Sequence, residues 1–463
     1  MSISRLSRLF TLLRSAIALL ALTSLHPAWA GPQIQHWVAG NGTHVYFVES
    51  RALPLIDINI SFAAGNAYDP EGKNGTASMT RDMLQAGTQN LTEQQIAERI
   101  ADTGARFGGR VDNDESAMTI RTLSSAAERD AAVALAARLL AHPAFPAEVF
   151  TREKARTLAA VRDALTRPAV LAKRAFSRAI YGSHPYADLT GLETVERITR
   201  DDLVAFHRTH YVTANATVTV VGDASRSDAE RIALTLTREL PTGSRSPTLA
   251  QPSLPERSIE RIAHPSAQSH ILVGMPGLSR EDPDYYPLLV GNYILGGGGF
   301  VSRLTDEVRE KRGLAYSVYS HFNPMRVAGP FQIGLQTRGQ QADEALNVVG
   351  QVLTDFIAKG PTPDELQAAR DNIVNGFGLR LDSNAKLLGY VAMIGFYRLP
   401  LDWLDTYTDQ VNKVTPEAIR DAFARRIKPQ HLATVIVGGD GDNALDDATA
   451  RAPTDTTGSG TEN

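Results

Sequence analysis

Two stretches far apart in the chain end in nearly the same words: ATVTVVGD at 216–223 and ATVIVGGD at 433–440. Each follows a helix start built on threonine, Ile198-Thr199-Arg200-Asp201 in one case and Val414-Thr415-Pro416-Glu417 in the other. A repeat this long is duplication of a whole unit rather than a short solenoid period. It therefore constrains the fold strongly: the same large unit must be built twice. The length agrees, since 463 residues exceed one ordinary core.

The elements inside each unit are readable in outline. A strand is expected at 43–49. Ile56, Ile58, Ile60 and Phe62 then alternate with Asp57, Asn59 and Ser61, which predicts a strand with one buried and one more polar face. Residues 65–75 form a loop. Helical patterns follow at 76–85 and 93–104, a strand at 115–123, an alanine-rich helix at 126–140, a long helix at 146–166 and another at 199–209. In the second half a strand is expected at 269–275, and Phe331, Ile333 and Leu335 alternate in a further one. Runs of antiparallel-looking strands with long helices, repeated twice, give an α+β class: two homologous domains, each a mostly antiparallel sheet packed with helices. The expected domains are 31–240 and 257–447. The segment 241–256, rich in Pro, Ser and Thr, links them, and 448–463 is a polar tail expected to be disordered.

Arg5, Arg8 and Arg14 precede a short apolar run at 15–25 and an A-x-A signature at Ala28-Trp29-Ala30. This is the pattern of a secretory signal peptide spanning 1–30, with cleavage after Ala30. The run is too short for a membrane span of about 20 residues, and no later segment is apolar enough. The mature chain is thus expected in the periplasm or outside the cell, with no membrane association. A net charge of −4 makes no case for nucleic acid. The absence of cysteine excludes disulfides and thiolate metal sites.

The stretch LGGGGFVSRLTDEVREKRGLAYSVYS, 295–320, carries the chemistry. Four glycines open it. A helix is expected at 302–311, with Gly313 as its stop and a strand starting near Ala315. Arg309 and Tyr316 lie seven apart across that stop. A turn between them could aim a guanidinium and a phenol into one cavity, a pairing suited to a peptide carbonyl and its developing oxyanion. The plainer reading is an ion pair of Arg309 with Glu307 or Glu310 and a core role for Tyr316. Gly297, Gly298 and Gly299 are candidate substrate-binding positions or simply a close-packed turn. No Lys-Ser or Lys-Thr follows to make a phosphate loop. His207 and His210, three apart at a helix end, lack further ligands for a metal site.

With the duplication, the GGGGFVSRL…REKRGLAYS stretch, NGTASMTRDMLQAGT and His184-Pro185-Tyr186 on the page, the chain resembles the M16 peptidases, the pitrilysin, insulinase and mitochondrial-processing-peptidase group, over nearly all of its mature length. The resemblance implies a proteolytic chamber between paired halves. It also implies a His-x-x-Glu-His zinc motif in the first domain, with a glutamate as third ligand further on. Here Ser78 stands at the first histidine, Arg81 at the general base, Asp82 at the second histidine and Ala160 at the third ligand. All are changed, so no metal and no cofactor are expected in this chain. Arg309 and Tyr316 match the pair that the resemblance places on the substrate from the second domain. The expectation is a non-zinc subunit of a heterodimeric peptidase, inactive alone. A homologous His-x-x-Glu-His partner would supply zinc and general base, and a peptide would be the substrate. The alternative is a catalytically silent structural or peptide-binding homologue.

Overall fold

The computed structural model describes residues 32–187 and 189–439. The signal-peptide and tail expectations therefore lie outside the described residues. The first half builds a six-stranded sheet from β1 (Gln35–Val38), β2 (His44–Glu49), β3 (Leu55–Phe62), β6 (Arg106–Val111), β7 (Ser116–Leu123) and β8 (Ala216–Gly222), in the order β1-β2-β8-β3-β7-β6. A two-residue hairpin, β4 (Gly87–Thr88) and β5 (Leu91–Thr92), stands apart. In the second half β9 (Ser258–Ile262), β10 (Gln268–Leu278), β11 (Ser317–Phe322), β12 (Gly329–Arg338) and β13 (Ala433–Val437) form a sheet ordered β11-β12-β10-β13-β9.

The two sheets repeat each other. In each, the strand carrying the ATV repeat has a parallel neighbour on one side and an antiparallel one on the other: β2 and β3 around β8, β9 and β10 around β13. The duplication read from two short phrases is thus present strand by strand, with β1 as an addition to the first sheet.

The expected polar face of β3 is not polar in its surroundings. Asp57, Asn59 and Ser61 are as buried as the isoleucines between them. The reason is a helix from the other half. Asn384–Tyr397 lies across β2, β3 and β8. Its approach is so close that a Cβ on Gly395 would come within 2.7 Å of the Tyr46 ring. Arg121 satisfies the buried Asp57 with two hydrogen bonds of 2.7 and 3.0 Å.

The exchange is mutual. The first half's helix Pro168–Tyr181 packs on β10 and β13 of the second sheet. There Ala172, Ala175, Phe176 and Ile180 join Leu272, Val435 and Val437 in one apolar cluster. Each sheet is therefore finished by the other half's helix. Between them, 241–257 runs without helix or strand, yet it is tied down: Ser246 donates its backbone N–H to Asn215 (2.8 Å) and its hydroxyl to the Ala63 carbonyl (2.6 Å).

One buried carboxylate fastens the halves at their junction. Asp114, fully buried on the β6–β7 turn, accepts from the Tyr186 hydroxyl, from the Tyr397 hydroxyl at 2.8 Å and from the Arg326 backbone N–H at 2.8 Å. This places the His-Pro-Tyr motif. Tyr186 is the first half's arm of the lock. His184 accepts the Tyr186 N–H on Nδ1 (3.1 Å), which leaves Nε2 to donate to the Ala250 carbonyl at 2.9 Å.

Candidate functional site

The positions matching a zinc motif sit on the helix Thr76–Asp82. Its N-terminal N–H groups are held by Asp69, which accepts from Gly75 (2.7 Å) and Ala77 (2.6 Å). Gly75 enters the helix at φ 111°, a conformation that favours glycine. Ser78 is half-buried and donates to the Asn66 side-chain oxygen at 3.2 Å. Arg81 turns inward, only 7% exposed, and its guanidinium donates to the Ala117 carbonyl (3.0 Å) and the Gly108 carbonyl. A Cβ at Gly109 would collide with that guanidinium, so the strand is shaped around it. Asp82 points outward, with Glu153 and Arg156 contributing to its electrostatic surroundings. Ala160 is exposed on the helix Ala147–Ala164, none of whose residues is buried.

These residues do not fit a zinc ion. A hydroxyl, a methyl group and one carboxylate replace the three ligands, and a permanently charged guanidinium, locked by two carbonyls, replaces the base. Among the described residues no group of three His, Cys, Asp or Glu side chains is placed to hold a metal ion. The histidine pair is structural. His207 bonds the Leu140 carbonyl at 2.8 Å, and His210 bonds the Ser246 hydroxyl at 2.8 Å, with burial lowering its pKa to about 4.

The other candidate stretch is built differently. The helix Tyr285–Asn292 runs into a π turn at Tyr293–Gly297, closed by the Gly298 N–H on the Tyr293 carbonyl at 2.8 Å. A second π segment covers Thr305–Glu310, where a regular α-helix was expected. Such widened turns occur often at functional sites, because they redirect the side chains that follow. The strand then begins at Ser317, so Tyr316 stands just before it. Two kinds of constraint explain the glycines. A Cβ on Gly296, Gly297 or Gly298 would press within 2.9 Å of Ser320, Asn292 or Tyr293, while Gly299 has open space but φ 63°. Gly297 and Gly299 reach the surface.

Arg309 and Tyr316 are brought together. The guanidinium lies 5.4 Å from the Tyr316 ring centroid and 4.9 Å from that of Phe300. Both rings stand in solvent, 78% and 73% exposed, with Val301 beside them in sequence at 76%. Tyr316 is therefore not a core residue. The ion pair foreseen for Arg309 does exist, at 3.4 Å to Glu310, whereas Glu307 is taken by Lys311 and Arg312. One weak ion pair does not hold a guanidinium between two exposed aromatic rings; cation–π attraction of about 0.5–1 kcal/mol per exposed ring does. Sequence reasoning missed Phe300. The signal was an aromatic directly after the glycine run, where a close-packed turn would end in a small or polar residue.

Comparison with known proteins agrees with this two-part picture. The profile of Insulinase (Peptidase family M16) matches residues 50–190, and that of the Peptidase M16 inactive domain matches 197–373. A crystal structure of a peptidase M16 inactive domain from Pseudomonas fluorescens superposes with a TM-score of 0.84 at 37% identity, covering 88% of this chain and 98% of that one. A protein of Helicobacter pylori named a non-peptidase homolog, YmxG, is 24% identical over 85% of this chain and 91% of its own. An uncharacterized zinc protease of Streptomyces coelicolor is 25% identical over 81% of this chain and 83% of its own. With its duplicated sheets, its altered metal positions and a 37% identical structural relative along most of its length, the chain belongs to the M16 peptidase family, as a homologue of the inactive type.

Proposed function

We propose that this chain is the non-zinc subunit of a heterodimeric periplasmic M16-type peptidase. In this reading a homologous chain with an intact His-x-x-Glu-His motif supplies zinc and the general base. The present chain supplies Arg309, Tyr316 and part of the chamber wall. The observation that carries it is the contrast between the two candidate sites. Arg81 is sealed into the fold as a structural cation, while Arg309 is held between Phe300 and Tyr316 on an exposed surface.

The exposed phenol is a donor for a peptide carbonyl as its oxygen gains charge, and the neighbouring guanidinium steadies the same oxygen. Phe300 and Val301 offer apolar surface for a substrate side chain next to that carbonyl. Gly297 and Gly299 reach the surface, where a peptide backbone would lie. The N-terminal signal pattern supports export. The H. pylori relative, named a non-peptidase homolog, favours inactivity of the isolated chain.

The test is co-purification from the native host with metal analysis and a peptide-cleavage assay. A co-eluting zinc-bearing homologue is expected, with activity only in the complex. Tyr316→Phe should then lower kcat by about 10²–10³, the effect of one lost oxyanion donor. Chelator-sensitive cleavage by the purified single chain would refute the proposal. Full activity of the complex after Arg309→Ala and Tyr316→Ala would leave the silent structural or peptide-binding homologue as the correct reading.

A further inference from the structure

Between the two halves, lined in part by the connecting segment and by none of the candidate catalytic residues, lies a cavity of about 370 Å³. Tyr68 and Asn215 come from the first half, Arg245 from the connecting segment, and Arg280, Arg326 and Arg398 from the second. Among the described residues the wall thus carries four guanidiniums and a single carboxylate, Glu281. Asp114 lies behind Arg326, already accepting two tyrosine hydroxyls and the Arg326 backbone N–H.

Elsewhere in this chain several arginines share a carboxylate, as Arg425 and Arg426 share Asp284. Within the described residues none of the four cavity arginines forms an ion pair. Arg280 donates one Nη to the Pro324 carbonyl at 2.9 Å, and Arg398 reaches the His44 ring. The Nε atoms of Arg280 and Arg326 are buried without a hydrogen-bond partner.

The guanidiniums are also set in place. Arg326 lies 4.5 Å from the Phe396 ring centroid and Arg280 5.3 Å from that of Tyr397. Rings against their faces fix the planes of the two guanidiniums. Arg398 holds φ 60°, a left-handed conformation that costs a residue other than glycine free energy and persists where surroundings impose it. The crowding is felt locally: the pKa of His44 is lowered to about 4, by burial first and then by Arg398, His36 and Arg245.

We infer that this cavity binds a small oxyanion carrying at least two negative charges, of the phosphate or polycarboxylate class. The site is independent of peptide cleavage. Because its walls come from both halves, a bound anion would also fasten them together. Calorimetric titration of the mature full chain with pyrophosphate, and separately with citrate, at fixed ionic strength tests this. Saturable one-to-one binding is expected, with a rise in Tm. Arg280→Gln and Arg398→Gln should each weaken it about tenfold, the effect of one lost charge-assisted hydrogen bond. Arg261→Gln, on a distant surface pair with Asp343, should not. Should Arg280→Gln fail to fold, Arg245→Gln on the exposed connecting segment gives the same reading. Tighter pyrophosphate assigns the phosphate class, and tighter citrate the carboxylate class. The inference is overturned by the absence of saturable binding of either anion, or by affinities unchanged in the arginine variants.

Discussion

Replacing Asp114 by alanine should loosen the junction of the two halves more than any comparable surface change. The carboxylate accepts three hydrogen bonds, from Tyr186, Tyr397 and the Arg326 backbone. At roughly 1.5–3 kcal/mol for each bond to a charged group, the gross loss is about 5–9 kcal/mol. Part is returned, because a fully buried carboxylate no longer has to be desolvated. The net cost is on the order of 3–5 kcal/mol, the range seen when one partner of a buried polar network is removed. Three donors are left behind, the buried Tyr186 hydroxyl, the half-buried Tyr397 hydroxyl and the Arg326 N–H, so Asp114→Asn, which keeps an acceptor oxygen, should lose less. Trp37 belongs to the first half and Trp403 to the second, so fluorescence of single-tryptophan variants during urea unfolding reports each half separately. Because each sheet is finished by the other half's helix, the two reporters should move together in the parent and in Asp114→Ala, with the common midpoint of the variant lowered. A loss under about 1 kcal/mol would refute the idea that this carboxylate joins the halves.

Further outcomes follow from other positions. Tyr316→Ala should change stability by less than about 1 kcal/mol, since an exposed ring loses only a cation–π contact; chemical denaturation checks this. Gly299→Ala should cost about 1 kcal/mol through its positive φ, and Gly296→Ala more, because its Cβ would meet the Ser320 backbone nitrogen at 2.5 Å; the reverse order in urea melts would contradict the account of the turn. His210 is buried, with its pKa lowered from 6.5 to about 4. Between those values the unfolded chain binds the extra proton, so stability falls as pH drops from 6.5 towards 4, by roughly 3 kcal/mol at most. A His210→Gln variant should flatten that part of the pH–stability curve.

Two repeated phrases were enough to disclose the duplicated architecture, because strand, glycine and helix start are local patterns. What could not be read was contact between the halves. Alternation along β3 correctly marked a strand with one buried and one more polar face, but it could not show that a helix some distance along the chain buries the polar face as well. The helix Pro168–Tyr181 went unread for a related reason. Its buried face, Ala172, Ala175, Phe176 and Ile180, is covered by a sheet belonging to the other half, a contact that no local pattern announces. For the candidate site, spacing and resemblance paired Arg309 with Tyr316, and the structure brings the two side chains together. The π segments were not legible, and the aromatic after the glycine run hinted at Phe300 without placing its ring on the other side of Arg309. Both depend on where the chain turns after the glycines, not on which residues it contains.

The exchanged helices carry a consequence for synthesis and truncation. A sheet finished by its partner's helix is incomplete until that helix has been made. As the chain is translated, the first sheet keeps Tyr46, Val48 and Val221 without their cover until residues 384–397 emerge. A fragment stopped at the connecting segment would present that bare apolar face to whatever surrounds it, and should aggregate rather than persist as a small independent unit. The two copies of the ancestral unit have thus become obligate to one another: duplication supplied two folds, and the swap of one helix each made them a single folding event.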